Sequence, residues 1–238
     1  MTLRTALLVV ILVEVLYVGL TRLVITYYGS WSVEGELFRT ALRLSSAGCF
    51  WYLMKSTILS KTPNFRCARD ALFLGGVGLF LLTPVIVGHY DLRLELALLV
   101  AVASVPVAIK EELLFRGIVQ NLLEARLGLL VAVIGTNVLF VVWHIGALPS
   151  SFWTFSQVFL AGSLLGFVYA RSGSIALVIG LHALYDAIFS FTPILPKPFN
   201  QNWGFVVLAP AFSLIAYWAL SRESANRGVQ PTPASGRG

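Results

Sequence analysis

Long apolar runs, separated by short polar stretches, divide the chain near residues 5–26, 37–59, 71–88, 92–123, 128–147, 155–171, 174–190 and 204–221. Each approaches or exceeds the roughly 20 residues that a helix needs to cross about 30 Å of hydrocarbon. The pattern predicts an all-α fold, a polytopic transmembrane bundle of about eight helices forming one membrane-embedded domain over 1–221. No internal repeat is visible. Residues 222–238 are polar and rich in Gly, Pro and Ser, and read as a disordered tail. The fourth run is too long for one straight span, since at 1.5 Å per residue it would extend roughly 48 Å. Pro106 offers a kink near its middle and Gly117 a second weak point.

Composition strengthens this picture. Of 238 residues 58% are hydrophobic and 12% charged, more apolar and less charged than soluble domains. The net charge of +6 raises the question of nucleic acid, but the basic residues form no stripe and mostly flank apolar runs, so no nucleic-acid partner is expected. The two cysteines, Cys49 and Cys67, lack metal-ligand spacing and read as reduced. Arg4 followed by an apolar run looks like a signal peptide, yet Glu14 interrupts the run and no small-x-small site follows. A retained first span is expected.

The flanking charges set an orientation. With the N-terminus in the cytoplasm, ten basic residues fall inside (Arg4, Lys55, Lys61, Arg66, Arg69, Arg126, Arg171, Arg222, Arg227, Arg237) and five outside (Arg22, Arg39, Arg43, Arg93, Lys197). Lys110 and Arg116 lie within a helix and are left out of the count. Both termini are expected in the cytoplasm, and the compact length suggests a bacterial cytoplasmic membrane.

Charges inside apolar runs are expensive and need a use. The most concentrated group is Lys110, Glu111, Glu112 and Arg116. On a helix Glu112 and Arg116 share a face and can pair, while Glu111 is turned by about 100° and is left for chemistry. Two later runs carry Phe140 with His144, and His182 with Asp186, each pair four residues apart. Counted along the helices, Glu111, His144 and His182 fall roughly 20, 24 and 13 Å from the inner surface, which permits a common site. Peptide hydrolysis needs a water, a base to deprotonate it and donors for the oxyanion; one carboxylate and two imidazoles can supply them.

The three motifs, EExxxR at Glu111, Glu112 and Arg116, FxxxH at Phe140 and His144, and HxxxD at His182 and Asp186, resemble those of the CPBP intramembrane proteases. That family includes the type II CAAX prenyl proteases and bacteriocin-processing or self-immunity relatives. The resemblance covers about 106–190. It implies an eight-helix-type membrane endopeptidase whose substrate is a membrane-associated peptide or protein, prenylated or a small precursor, with membrane lipid around it. It further implies that Glu111 and His144 activate water and that His182, with Asp186, binds the oxyanion or holds the site together. Glu112 belongs to the same motif, supported by Arg116 and Phe140. Family members often carry asparagine where this chain has Asp186. An ionised aspartate cannot donate to an oxyanion, so Asp186 either orients His182 or stays protonated.

Other readings use the same residues. Glu111, His144 and His182 form a plausible zinc set with a fourth position open to water. The resemblance also supports a metal-free glutamic mechanism, favoured because Arg116 accounts for Glu112; no cofactor is then needed. More blandly, EExxxR is a salt bridge near a helix end, His144 beside Trp143 an interfacial anchor, and His182 with Asp186 an interhelical hydrogen bond. The competing function classes are a non-catalytic immunity or scaffold protein and a proton-coupled transporter.

Overall fold

The computed structural model describes residues 2–30, 32–61, 77–78, 94–145 and 152–191. Among these the chain forms six long helices: α1 (Leu3–Tyr28), α2 (Val33–Ile58), α3 (94–127), α4 (Leu129–Trp143), α5 (Phe152–Ser172) and α6 (Ile175–Phe191). All six fall where the apolar pattern places them. The runs expected at 71–88 and 204–221, the tail at 222–238 and Cys67 lie essentially outside the described residues, so an eight-helix count is not reached. Cys49 is a free, half-buried thiol in α2.

Helix ends follow from local chemistry. Thr2 and Ser32 cap α1 and α2 by accepting hydrogen bonds from the backbone N–H of Thr5 and Gly35. Gly29 and Gly128, with φ of 79° and 81°, end α1 and α3 in a conformation that only glycine adopts cheaply. Two distant residues also reach the last carbonyls of α2. Asn121 Nδ2 donates to the Thr57 carbonyl (2.6 Å), and the Tyr169 hydroxyl donates to that of Ile58 (2.9 Å).

The long central helix departs from α geometry where the charged motif begins. Leu94–Glu112 is α-helical, Leu113–Gln120 is π-helical, and Asn121–Leu127 returns to α. Pro106 lies within the first part, while the irregular stretch contains Gly117. Gly117 also lets α2 approach closely: a Cβ there would stand 3.0 Å from Ile58 Cγ1. Helix α6 packs along the first part of α3, α2 against all three parts, and α5 against α4. The main core joins Phe50, Met54 and Ile58 of α2 to Leu113, Phe115 and Ile118 of α3 and Phe140 of α4.

Polarity is distributed inside out. Lys110, Glu112, Arg116 and Gln120 are buried, while Leu8, Ile11, Val15, Val102, Val131 and Val142 are exposed. Water penalises such an outer surface and hydrocarbon does not. Helix α1 is long and apolar enough to cross a membrane; Leu129–Trp143, Val158–Ser172 and Ile175–Ile188 are shorter apolar helices. Of the basic residues used for orientation, Arg22, Arg39 and Arg43 lie within helices, the last two paired with Glu36, and Arg4, Lys55, Arg126 and Arg171 lie near helix ends rather than in loops.

Candidate active site

The charged motif of α3 meets α4 and α5 through one buried arginine. Arg116 Nη1 donates to Glu112 Oε1 (3.1 Å), and Nη2 donates to the Gly162 carbonyl (2.8 Å) and to Asn137 Oδ1 (3.3 Å). Its guanidinium lies over the Phe140 ring at 4.8 Å. One turn later Gln120 Nε2 repeats the reach, donating to the Gly166 carbonyl at 2.9 Å. A Cβ at position 162 would stand 2.3 Å from Asn137 Oδ1, and one at 166 would stand 3.0 Å from Gln120 Oε1. The two glycines of α5 therefore make room for side chains of α3 and α4.

Glu112 is fully buried and does more than neutralise Arg116. Its Oε1 also accepts from His182 Nδ1 at 2.6 Å, so one oxygen ties α3 to α6. Ser104, whose hydroxyl is shared between the carbonyls of Ala101 (2.6 Å) and Ala183 (3.0 Å), fixes the two helices again beside His182. With Nδ1 donating to a carboxylate, the His182 Nε2 edge is left to face the site. It lies 3.3 Å from Asp186 Oδ2 and 4.0 Å from Glu111 Oε2.

His144 closes the other side. It is the C-cap of α4, with its Nδ1 2.8 Å from the Phe140 carbonyl. A carbonyl only accepts, so Nδ1 carries a proton and the other ring nitrogen, Nε2, faces outward. Nε2 stands 3.9 Å from Glu111 Oε2. Phe140 packs against both imidazoles, with ring centroids 4.5 Å from His144 and 6.2 Å from His182.

The three motifs thus converge on one carboxylate. Glu111, His144, His182, Asp186, Glu112, Arg116 and Phe140 all sit in one cluster. The helix-by-helix count left the three levels up to roughly 11 Å apart, and α4 ends at Trp143 rather than near 147. Sequence reasoning paired Glu112 with Arg116 alone and missed its bond to His182, for which no local signal exists. Asn137, Gly162, Gln120 and Gly166 were also missed as partners. Gly162 and Gly166, four apart, gave the one readable hint, a face open to close approach.

A second buried ion pair adjoins the site. Lys110 Nζ is 2.8 Å from Glu14 Oε2 of α1, and it lies over the rings of Tyr17 (3.9 Å) and Trp143 (4.5 Å). Tyr17, three residues after Glu14 in α1, therefore meets the lysine.

The geometry can be tested against zinc. Ligands about 2.0–2.1 Å from a tetrahedral ion lie about 3.3–3.4 Å apart. The Glu111 oxygen is 3.9 and 4.0 Å from the two imidazole nitrogens, and one of those nitrogens also faces Asp186. Among the described residues no group of three or more His, Cys, Asp or Glu side chains is arranged to hold a metal. As placed, these side chains do not fit a zinc ion.

A carboxylate facing two imidazoles inside an apolar helical bundle is a donor set suited to activating water and transferring protons. Residues 93–188 match the family model of Rce1-like type II CAAX prenyl endopeptidases, consistent with the CPBP proteases that the three motifs resemble. The matched segment begins just before α3 and ends within α6, so it contains every residue of the cluster. No curated protein and no solved structure matches the chain. The family is one of integral membrane proteases, and it suggests CAAX-type proteolysis at a membrane-associated peptide.

Proposed function

We propose that the protein is an intramembrane endopeptidase that hydrolyses a peptide bond of a prenylated, membrane-associated substrate by a metal-free, glutamic mechanism. The observation that carries this reading is the approach of Glu111 Oε2 to within 4.0 Å of Nε2 of both His144 and His182. With the His144 ring neutral, Oε2 and the outward Nε2 lone pair are two acceptors facing each other across 3.9 Å. They repel unless a donor lies between them. A water about 2.8 Å from each fits that gap with an angle of about 90° at its oxygen, near its own H–O–H angle, and donates one proton to each.

In this mechanism Glu111 takes a proton from the water as its oxygen attacks the scissile carbonyl carbon. His144 holds the second hydrogen and aims the lone pair. The carbonyl oxygen becomes an oxyanion, which a protonated His182 Nε2 stabilises by donating to it; Glu112 anchors the far side of that ring. Collapse of the intermediate breaks the C–N bond, and the proton held by Glu111 passes to the leaving amine. Asp186 holds the His182 ring until substrate arrives. The bundle lies in a bacterial cytoplasmic membrane with both termini in the cytoplasm, and lipid covers the apolar outer faces.

The test is direct. The purified protein in liposomes is given a farnesylated peptide with a CAAX-type C-terminus, and the products are read by mass spectrometry. Cleavage that leaves the prenylated cysteine at the new C-terminus, undiminished by a zinc chelator, supports the reading. No cleavage of the farnesylated peptide overturns it, and loss of turnover on chelation that zinc restores overturns the metal-free part.

A further inference from the structure

The proposed mechanism uses Glu111 and leaves the neighbouring Lys110 unexplained. Lys110 is 1% exposed, one of the most deeply buried cations among the described residues, and its partner Glu14 is 7% exposed in the middle of the largely apolar α1. The ammonium is enclosed by three partners: Glu14 Oε2 at 2.8 Å, the Tyr17 ring at 3.9 Å and the Trp143 ring at 4.5 Å. Trp143 is the last residue of α4, and the next residue is His144. The same indole also meets Phe115, with ring centroids 6.5 Å apart. The turn that carries His144 is thus gripped through its tryptophan by a cation on α3, and among the described residues that cation is neutralised from α1.

We propose that Glu14 and Lys110 are positioning residues, a clamp by which α1 holds the terminal turn of α4 so that His144 stays opposed to Glu111. Glu14 lies outside 93–188, so the clamp places α1 among the elements on which the site depends. The inference rests on the proposed peptidase mechanism for its kinetic consequence and on packing alone for its structural one. A desolvated cation over an indole is an attraction that a neutral side chain lacks. A buried charge without its partner is costly, which explains why the two residues occur together.

Four full-length proteins separate this from a simple stabilising pair: wild type, Lys110→Arg, Lys110→Met, and the double variant Glu14→Leu with Lys110→Met. The double variant removes both charges and avoids stranding either, so it folds even where Lys110→Met alone does not. Two readouts are taken: kcat and KM on the farnesylated peptide, and amide hydrogen exchange of the segment covering 141–145. The clamp predicts that the double variant loses about 10- to 100-fold in kcat, the cost of small misplacements of a reacting group, with KM within about threefold of wild type. It predicts faster exchange at 141–145 in the double variant, and kcat within about threefold of wild type for Lys110→Arg, which keeps the charge and stacks on rings. Wild-type kcat in the double variant overturns the proposal whatever the exchange shows. If the wild type cleaves nothing, the peptidase reading fails by itself; exchange at 141–145 then decides the clamp, and unchanged exchange overturns it.

Discussion

Two adjoining parts of α3 are built to opposite rules. From Arg116 to Asn121 the long polar side chains are buried and reach acceptors on neighbouring helices: Arg116 at the Gly162 carbonyl (2.8 Å), Gln120 at that of Gly166 (2.9 Å) and Asn121 at that of Thr57 (2.6 Å). One turn earlier, Glu111 faces Nε2 of His144 and His182 at 3.9 and 4.0 Å, beyond direct hydrogen-bond reach. The first arrangement ties each side chain directly to a neighbouring helix. The second leaves a gap the size of a water, walled by groups whose other edges are already tied down, His144 to a carbonyl and His182 to Glu112. Reactive groups that must change partners during a reaction are held from behind and left open in front.

The sharpest way to break the comparison is to remove charge from each side in turn. Glu111→Gln keeps shape and forfeits the base, so turnover on the farnesylated peptide should fall by about 10³-fold or more with thermal stability near wild type. A fall in stability with turnover retained would place Glu111 in the scaffold instead. Arg116→Met should do the reverse. It strips donors from the Gly162 carbonyl and Asn137 and leaves the buried Glu112 carboxylate with His182 alone, a loss of about 3–5 kcal/mol in unfolding measured in mixed micelles. Activity would then disappear because the bundle loosens, and lowering the temperature should recover part of it.

Sequence reading was strong along each helix and weak between helices, and the reason is physical. Hydrophobic periodicity and capping are local, so the ends of α1, α2, α5 and α6 fall within about four residues of the apolar runs. The spacing of Phe140 with His144 and of His182 with Asp186 shows which residues share a face of one helix, because that too is local. Which helices are neighbours is a property of packing. Glu112 and His182 are 70 residues apart, and Glu14 and Lys110 are 96 apart. The one clue for the second pair was energetic: two opposite charges, each stranded in an apolar helix, are each costly until paired. The π-helical stretch carried less warning still; Gly117 marked a weak point without showing that the bonding pattern would change there.

A subtler test uses glycines. Gly162 and Gly180 lie on successive helices, yet a Cβ at 162 would stand 2.3 Å from Asn137 Oδ1 and 3.1 Å from Arg116 Nη2, whereas nothing lies within 4 Å of one at 180. Gly162→Ala must push the Arg116 network aside, and overpacking of this kind costs about 1–3 kcal/mol. Gly180→Ala should be neutral or stabilising by up to about 1 kcal/mol, since alanine favours the helix. Equal effects at both sites would mean that α5 does not approach α3 and α4 as closely as the Arg116 and Gln120 bonds require.

The smallest effect belongs at the end of the tied region, where Asn121 gives way to Glu124. Glu124 Oε2 pairs with Lys61 Nζ at 2.6 Å, shorter than each of the Arg116 hydrogen bonds, but the Lys61 and Glu124 side chains are partly exposed, at 18% and 27%. Solvent screens such a pair, and its two long side chains lose freedom in forming it, so Lys61→Met should cost less than about 1 kcal/mol. The ammonium also lies 5.4 Å from the Tyr169 ring centre, while the Tyr169 hydroxyl closes α2 through Ile58. Raising the salt concentration therefore separates the two contributions. If the wild type loses in high salt what Lys61→Met has already lost, the ion pair is the whole effect. A larger, salt-insensitive loss would show that the lysine stem holds Tyr169, and that the tied region extends one turn further from the site than its buried hydrogen bonds indicate.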